Sequence, residues 1–241
     1  MNLQPATSKS RLDLTLVSSV RSPRPVIKIN EIFHSIQGET SWVGWPTVFV
    51  RTSGCNLRCR YCDTTYAYYE GGPRSVESII VEIQTHGAKY VCITGGEPLL
   101  QPDIHILMRN LCDLGYKVSL ETGGSLDCTT VDKRVKKIID VKTPDSGAAD
   151  SFNVKNLPSN PDFSIVNSEF KFVICSEKDF DWAENFARQN QLFEHTEVLF
   201  SPAYQRIDAK WLAQKILSSK SDARLQTQQH KFIWSAHVRG V

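Results

Sequence analysis

The chain of 241 residues is 41% hydrophobic and 22% charged, with a formal net charge of +2. That is an ordinary globular composition, long enough for one domain or two with a buried core; near-neutrality lends no support to a nucleic-acid-binding module, and no apolar run approaches the ~18 residues a membrane span needs. Seven cysteines, an odd number with no signal-peptide pattern before them, indicate a reducing, cytoplasmic setting and not a disulfide framework.

Residues 1–25 read as a polar extension, disordered or loosely docked. Leu12, Leu14 and Leu16 alternate, but Asp13 breaks the apolar run a secretory signal requires, and Pro23 and Pro25 close the segment. Residues 26–241 are expected to form a single domain. Residues 47–50 predict a strand leading into a polar loop that carries three cysteines. Ser75 is a candidate N-cap for a helix carrying Val76, Ile79, Ile80 and Ile83, which Gly87 ends. A buried strand follows at 90–94, then a helix face of Ile104, Leu107, Met108 and Leu111 that Gly115 stops. Residues 117–121 predict a strand and 131–137 a weaker helix, with Lys133-Arg134-Val135-Lys136-Lys137 as its solvated face. A strand follows at 138–142. The Pro-, Asp-, Ser- and Asn-rich stretch 143–168 is long enough to suggest a functional lid or a disordered loop. Beyond it come a strand at 170–175, a helix with Phe180, Trp182, Ala183, Phe186 and Ala187, a strand at 197–200, a helix with Ala209, Leu212, Ala213 and Ile216, and a last strand at 224–227.

Short strands alternating with helices predict an α/β fold with a mainly parallel sheet and right-handed crossovers, and six such units fit a partial β/α barrel. The chemistry-bearing residues fall just after strands, on the carboxyl-end edge where such folds place their sites.

Cys55, Cys59 and Cys62 stand at spacing C-x3-C-x2-C. Three thiolates this close can hold three corners of an iron–sulfur cube and leave one iron open, where an electron-carrying cluster takes four cysteines. The other reading is three unlinked thiols. Cys92 and Cys175 lie in strand-like runs and Cys112 in a helical one, as small core hydrophobes. Thr94-Gly95-Gly96-Glu97-Pro98 follows a strand; its glycines let backbone approach a ligand, and its carboxylate can accept from an ammonium group. As a bare pattern it is a common turn. Glu121, at the next strand end, can bond ribose hydroxyls or cap a turn. Lys142, one strand later, can face a carboxylate or lie in solvent, and Ser201-Pro202 holds a similar edge. Gln37 and Gly38, in Ser35-Ile36-Gln37-Gly38-Glu39, offer donors, acceptors and close backbone approach to a flat heterocycle. The hydroxyl of Thr64, two residues after the last cysteine of the triad, is a hard oxygen ligand suited to Mg²⁺.

With Tyr61 before its third cysteine, the triad resembles the signature of the radical S-adenosylmethionine (SAM) superfamily. The resemblance implies a partial (β/α)6 barrel and a 4Fe–4S cluster on Cys55, Cys59 and Cys62 whose open iron chelates SAM. One electron then cleaves the sulfonium and releases a 5′-deoxyadenosyl radical that takes hydrogen from a substrate. It assigns to SAM Tyr61, Cys62 and Asp63, Gly96 and Glu97, Glu121, Lys142 with Thr143 and Pro144, and Ser201 with Pro202. The S-I-Q-G-E, C-D-T and T-G-G-E-P segments, Arg51, and Gln229-His230-Lys231-Phe232 together resemble the 7-carboxy-7-deazaguanine synthase family of queuosine and deazapurine biosynthesis, from about residue 30 onward.

This second resemblance implies ring contraction of 6-carboxy-5,6,7,8-tetrahydropterin with loss of ammonia, SAM being regenerated. Ile36, Gln37, Gly38 and Thr94 would frame the pterin, Arg51 would bind its carboxylate, and Mg²⁺ on Thr64 would hold the same carboxylate. It also implies a homodimer, an electron donor such as flavodoxin, and no direct contact with nucleic acid or membrane. The chain departs from the family in its extension and in the tail after Lys231, so the substrate contact made by the terminal carboxylate of short-tailed relatives is not carried to Val241. A glycyl-radical activase shares the triad but has no need of S-I-Q-G-E or a magnesium hydroxyl. An iron–sulfur electron carrier would want a fourth nearby cysteine.

Overall fold

The computed structural model describes residues 24–234 and 238–241. The extension expected over 1–25 lies, but for its last two residues, outside them. Among the described residues the strands are β1 (Val26–Ile36), β2 (Pro46–Thr52), β3 (Gly72–Ser75), β4 (Tyr90–Gly95), β5 (Lys117–Thr122), β6 (Lys136–Val141), β7 (Ser168–Ile174), β8 (Glu197–Pro202) and β9 (Arg224–Leu225). The helices are α1 (Val76–Thr85), α2 (Ile104–Asp113), α3 (Glu177–Gln189), α4 (Leu192–His195), α5 (Ala209–Ser219) and α6 (His230–Ile233). No helix among the described residues is long and apolar enough to cross a membrane.

All the strands join one sheet in the order β3-β1-β2-β4-β5-β6-β7-β8-β9. From β2 to β9 neighbouring strands run parallel, whereas β1 is antiparallel to both β2 and β3. The row of strands does not close on itself, so the six long parallel strands make the partial barrel that the alternation of elements predicts. Each parallel strand sends alternate side chains to the helices and to the interior. In β7, Phe170, Phe172 and Ile174 pack outward with Phe180 of α3 and Phe200 of β8, the Phe172–Phe200 rings 5.6 Å apart edge to face. Lys171 and Val173 point the other way, into the interior. The Ser75 hydroxyl accepts from the Ser78 backbone N–H at 3.2 Å and starts α1, and Ser176 does the same for α3.

β1 and β3 do not stand out in the sequence. In β1 the pairing register slips between Ile29 and Glu31, leaving Asn30 as an extra residue. Ile27 and Ile29 before it are buried among the core residues, while Glu31 and Phe33 after it lie beside Arg51 and Phe49 on the interior face.

The helix expected over 131–137 is absent. The Asp132 carboxylate accepts from the backbone N–H and the guanidinium of Arg134 and holds a turn, and β6 begins at Lys136. The basic run is therefore no solvated helix face: Val135 and Lys137 are buried, and Lys136 pairs with Glu169 at 2.6 Å. The long stretch after β6 is an ordered loop of three single-turn 3-10 helices. The wholly buried Asn156 pins it, accepting from Cys128 N–H and donating to the Gly124 and Leu126 carbonyls.

Candidate active site

At the carboxyl ends of the parallel strands lies a cavity of about 750 Å³. Cys55, Cys59 and Cys62 stand on its wall, in the loop leaving β2. That loop is pinned by Gly54 N–H to the Ala67 carbonyl (2.9 Å) and by Arg60 N–H to the Ser146 carbonyl (3.0 Å). All seven thiols are free. Burial pushes the Cys55 and Cys59 thiols above their ordinary range, and Lys142 opposes it at both. Cys92 and Cys128 are buried among core residues, and neither Cys112 nor Cys175 lines this cavity, so only the triad presents sulfur to it. Among the described residues no group of three His, Cys, Asp or Glu side chains is placed to hold a single metal ion. Two buried polar atoms near the triad, Tyr61 Oη and Asp140 Oδ1, have no hydrogen-bond partner among the described residues. Three free thiols and unpartnered polar atoms on one wall suit a cluster with a polar ligand beside it.

The T-G-G-E-P segment is stapled to the cysteine loop. Gly96 N–H donates to the Thr52 carbonyl at 3.2 Å and Glu97 N–H to the Gly54 carbonyl at 2.8 Å. A Cβ on Gly96 would stand 2.1 Å from the Gly54 carbonyl oxygen, so the space this glycine leaves open is filled by the cysteine loop itself. Glu97 is buried and accepts from Leu99 N–H (3.1 Å), Thr122 Oγ1 (2.9 Å) and Gly123 N–H (2.8 Å). Burial raises its pKa, and those hydrogen bonds oppose the rise. Its carboxylate thus ties the β4 and β5 ends together while facing the cavity.

Glu121 gathers residues that the sequence assigned to two different ligands. Its carboxylate accepts from Gln37 Nε2 (3.4 Å) and Thr94 Oγ1 (3.3 Å), for both of which the resemblance implies a pterin, whereas for Glu121 itself it implies SAM. Ile36, Gln37 and Gly38 form the opposite rim. The Gly38 carbonyl accepts from Gln229 N–H at 2.9 Å, and Glu39 Oε1 accepts from Gln228 Nε2 at 2.9 Å. A Cβ on Gly38 would lie 2.3 Å from His230 Nδ1, so this glycine admits the C-terminal segment.

Inside the barrel runs a file of charges. Lys142 Nζ lies 3.0 Å from Asp140 Oδ2, and Lys171 Nζ lies 3.6 Å from the same oxygen and 2.8 Å from Glu39 Oε2. Burial alone would depress both lysines, but Asp140 holds Lys142 above its ordinary value, and Glu39 with Asp140 does so for Lys171. Burial likewise works against the Glu39 carboxylate, yet Lys171 keeps it below the ordinary range.

Arg51 donates from Nε to Glu31 Oε1 at 2.7 Å and lies over the Phe33 and Tyr66 rings. Among the described residues its two terminal nitrogens have no hydrogen-bond partner. Thr64 Oγ1 donates to Asp63 Oδ1 at 3.0 Å, and Asp63 Oδ2 pairs with Lys231 at 2.8 Å. Partial desolvation would raise the Asp63 carboxyl, but Lys231 draws it down to about 2. Ser201 lines the cavity, but Thr143, Pro144 and Pro202 do not; Thr143 is buried with its hydroxyl donated to the Val173 carbonyl at 3.0 Å. Val238 to Val241 also line the cavity, with Arg239 stacked 3.6 Å over the Tyr66 ring.

Sequence reasoning did not single out Asp140, Lys171, Gln228 or Glu31. The signal for the first two is a charge at an interior-facing position of an otherwise apolar strand, which carries meaning only once the barrel interior is known.

Residues 49–153 match the radical SAM superfamily. The chain is 40% identical over 218 residues to a 7-carboxy-7-deazaguanine synthase from Chlorobaculum tepidum, covering 89% of this chain and 97% of that protein. It is 40% identical over 230 residues to the protein of the same name from Koribacter versatilis, covering 89% and 100%. The crystal structure of QueE from Escherichia coli shares the fold, with a TM-score of 0.70 at 20% identity over 85% of this chain and 95% of that one.

Proposed function

Since the chain belongs to the 7-carboxy-7-deazaguanine synthase family and is a radical SAM enzyme, we propose that it converts 6-carboxy-5,6,7,8-tetrahydropterin to 7-carboxy-7-deazaguanine with loss of ammonia. The observation that carries this reading is the hydrogen-bonded group of Gln37, Thr94 and Glu121 on the same cavity as the cysteine triad. An amide, a hydroxyl and a carboxylate together present acceptors and a donor at fixed points, the complement of a flat heterocycle with amide and amine edges.

When bound, the 4Fe–4S cluster and SAM supply one-electron cleavage of a sulfonium and abstraction of a hydrogen from the substrate. Cys55, Cys59 and Cys62 would hold the cluster. Tyr61, Asp63, Gly96, Glu97, Lys142 and Ser201 would surround SAM, with Lys142 as a buried cation for its carboxylate and Thr143 and Pro144 shaping the turn that carries that lysine. Glu121, through its bonds to Gln37 and Thr94, would turn to the pterin. Arg51, its Nε fixed by Glu31, would offer its terminal nitrogens to the substrate carboxylate as a planar fork. Thr64 is a single neutral ligand, so Mg²⁺ would settle there only when the substrate carboxylate shares it. A small-molecule pterin substrate, a flavodoxin-like electron donor and a homodimer complete the reading.

The test is anaerobic incubation of the reconstituted protein with SAM, a strong reductant, Mg²⁺ and carboxytetrahydropterin, followed by mass analysis. The expected result is a product lighter than the substrate by one ammonia, with SAM undiminished. SAM cleavage without that product would overturn the assignment.

A further inference from the structure

Asp140 stands between two lysines that serve different halves of the cavity. Lys142 lies 5.9 Å from the Tyr61 ring centroid, on the side of the cysteine triad. Lys171 is anchored the other way, on Glu39, whose backbone N–H donates to Gln37 Oε1 at 3.1 Å in the turn that rims the pterin half. The file Lys142–Asp140–Lys171–Glu39 is thus two cations and two carboxylates in unbroken sequence, with side chains only 10–16% exposed. Both cations of the file lean on one oxygen, Oδ2 of Asp140, at 3.0 and 3.6 Å, while Oδ1 is buried without a partner among the described residues. An oxygen shared by two ammonium groups must hold one less firmly as it holds the other more.

We propose that Asp140 is a positioning residue that couples the pterin half of the cavity to the SAM half. A donor edge of the substrate at Glu39 draws that carboxylate from Lys171. Lys171 then closes on Asp140, and Lys142 is released toward the carboxylate of SAM. Filling either half therefore tightens the other, and by the same factor in both directions, because coupling between two binding equilibria is reciprocal. The inference rests on the function proposed above, since it takes the pterin as the competitor for Glu39.

Anaerobic titration of SAM into the unreduced, cluster-loaded protein, in which no turnover intervenes, tests it with and without saturating 6-carboxy-5,6,7,8-tetrahydropterin. The pterin should tighten SAM binding by about 5-fold or more. In Asp140→Asn and in Lys171→Met that factor should collapse toward one, and Asp140→Asn should bind SAM alone at least as well as the parent, because Lys142 is already released. Should Asp140→Asn lose its iron, Lys171→Met, which leaves the Asp140–Lys142 pair whole, decides alone. A purely structural Asp140 would weaken SAM binding equally with and without pterin and leave the factor intact; that outcome, or a factor near one in the parent, overturns the proposal. A parent that forms the product yet shows no coupling sinks this inference alone. A parent that neither binds nor converts the pterin sinks the proposed function, and the coupling with it.

Discussion

A β-carbon on Gly96 would stand 2.1 Å from the Gly54 carbonyl oxygen and 3.0 Å from Cys55 Cβ. Gly96→Val should therefore disturb the cysteine loop itself, so iron content and SAM binding should fall together. Full iron with SAM binding alone abolished would instead return this glycine to a purely ligand-facing role. Thr64 makes the opposite kind of prediction, because its hydroxyl bonds only the neighbouring Asp63 side chain and staples no backbone. Thr64→Ala should keep cluster and SAM, lower turnover by ~10- to 150-fold through the loss of ~1.4–3 kcal/mol at the transition state, and blunt the response to Mg²⁺. Rates across a magnesium series, with iron assayed on the same preparation, check it. The residues legible in sequence at this scale are those whose chemistry depends on near neighbours, such as three thiols within eight positions. Asp140 and Lys171 depend on a partner strand, and a lone charge in a strand reads as solvated until the barrel interior is known.

At the scale of elements, the misread stretch before β6 shows local chemistry overruling periodicity. Apolar Val131 and Val135 at helical spacing suggest a helix, but Asp132 captures the Arg134 N–H and a strand begins instead. That leaves Lys137 only 1% exposed, its Nζ donating to the Val166 carbonyl at 3.2 Å. Burial lowers its pKa from the ordinary 10.5. The folded state thus holds fewer protons than the unfolded one between its folded value and 10.5, so stability rises with pH through that window. Lys137→Met should stabilise the fold at pH 7 by on the order of 1 kcal/mol, with the gain shrinking toward alkaline pH in paired urea titrations. The ordered loop after β6 offers the reverse case. Asn156→Ala would strand the Cys128 N–H and the Leu126 carbonyl, while the Gly124 carbonyl keeps the Asn153 N–H, and should cost about 2–4 kcal/mol, read as a lowered urea midpoint. Its sequence, rich in Pro, Asp, Ser and Asn, signals a loop but not that one buried amide will order it.

At the scale of the whole molecule, the sheet order follows from strand–helix alternation, which the sequence displays plainly. The pairing of the two ends does not. Gln228 and Gln229 reach Glu39 and Gly38 across nearly the full length of the described chain, and nothing local in either segment marks the other as its partner. Gly38→Ala would set a methyl group 2.3 Å from His230 Nδ1 and 2.8 Å from His230 N. The overpacking should cost about 1–3 kcal/mol of that docking. It should raise the KM for the pterin and expose the C-terminal segment to limited proteolysis, while iron content stays at the parental level.

The slip in β1 leaves Asn30 as a spare position in the strand. The amide makes only an exposed bond to the Glu70 carbonyl at 3.2 Å, so exchanging it for alanine should be nearly silent. Deleting it should be nearly as mild. Ile29 and Glu31 would then be successive residues of an unbroken strand and point to opposite faces as they do now, so Glu31 still meets Arg51 and Phe33 still faces the interior. Losing Ile32 instead should not be mild, because with one residue fewer either Glu31 or Phe33 must turn toward the helices. The extra residue is slack in the strand: one position can be lost where the slack lies, but not beyond it.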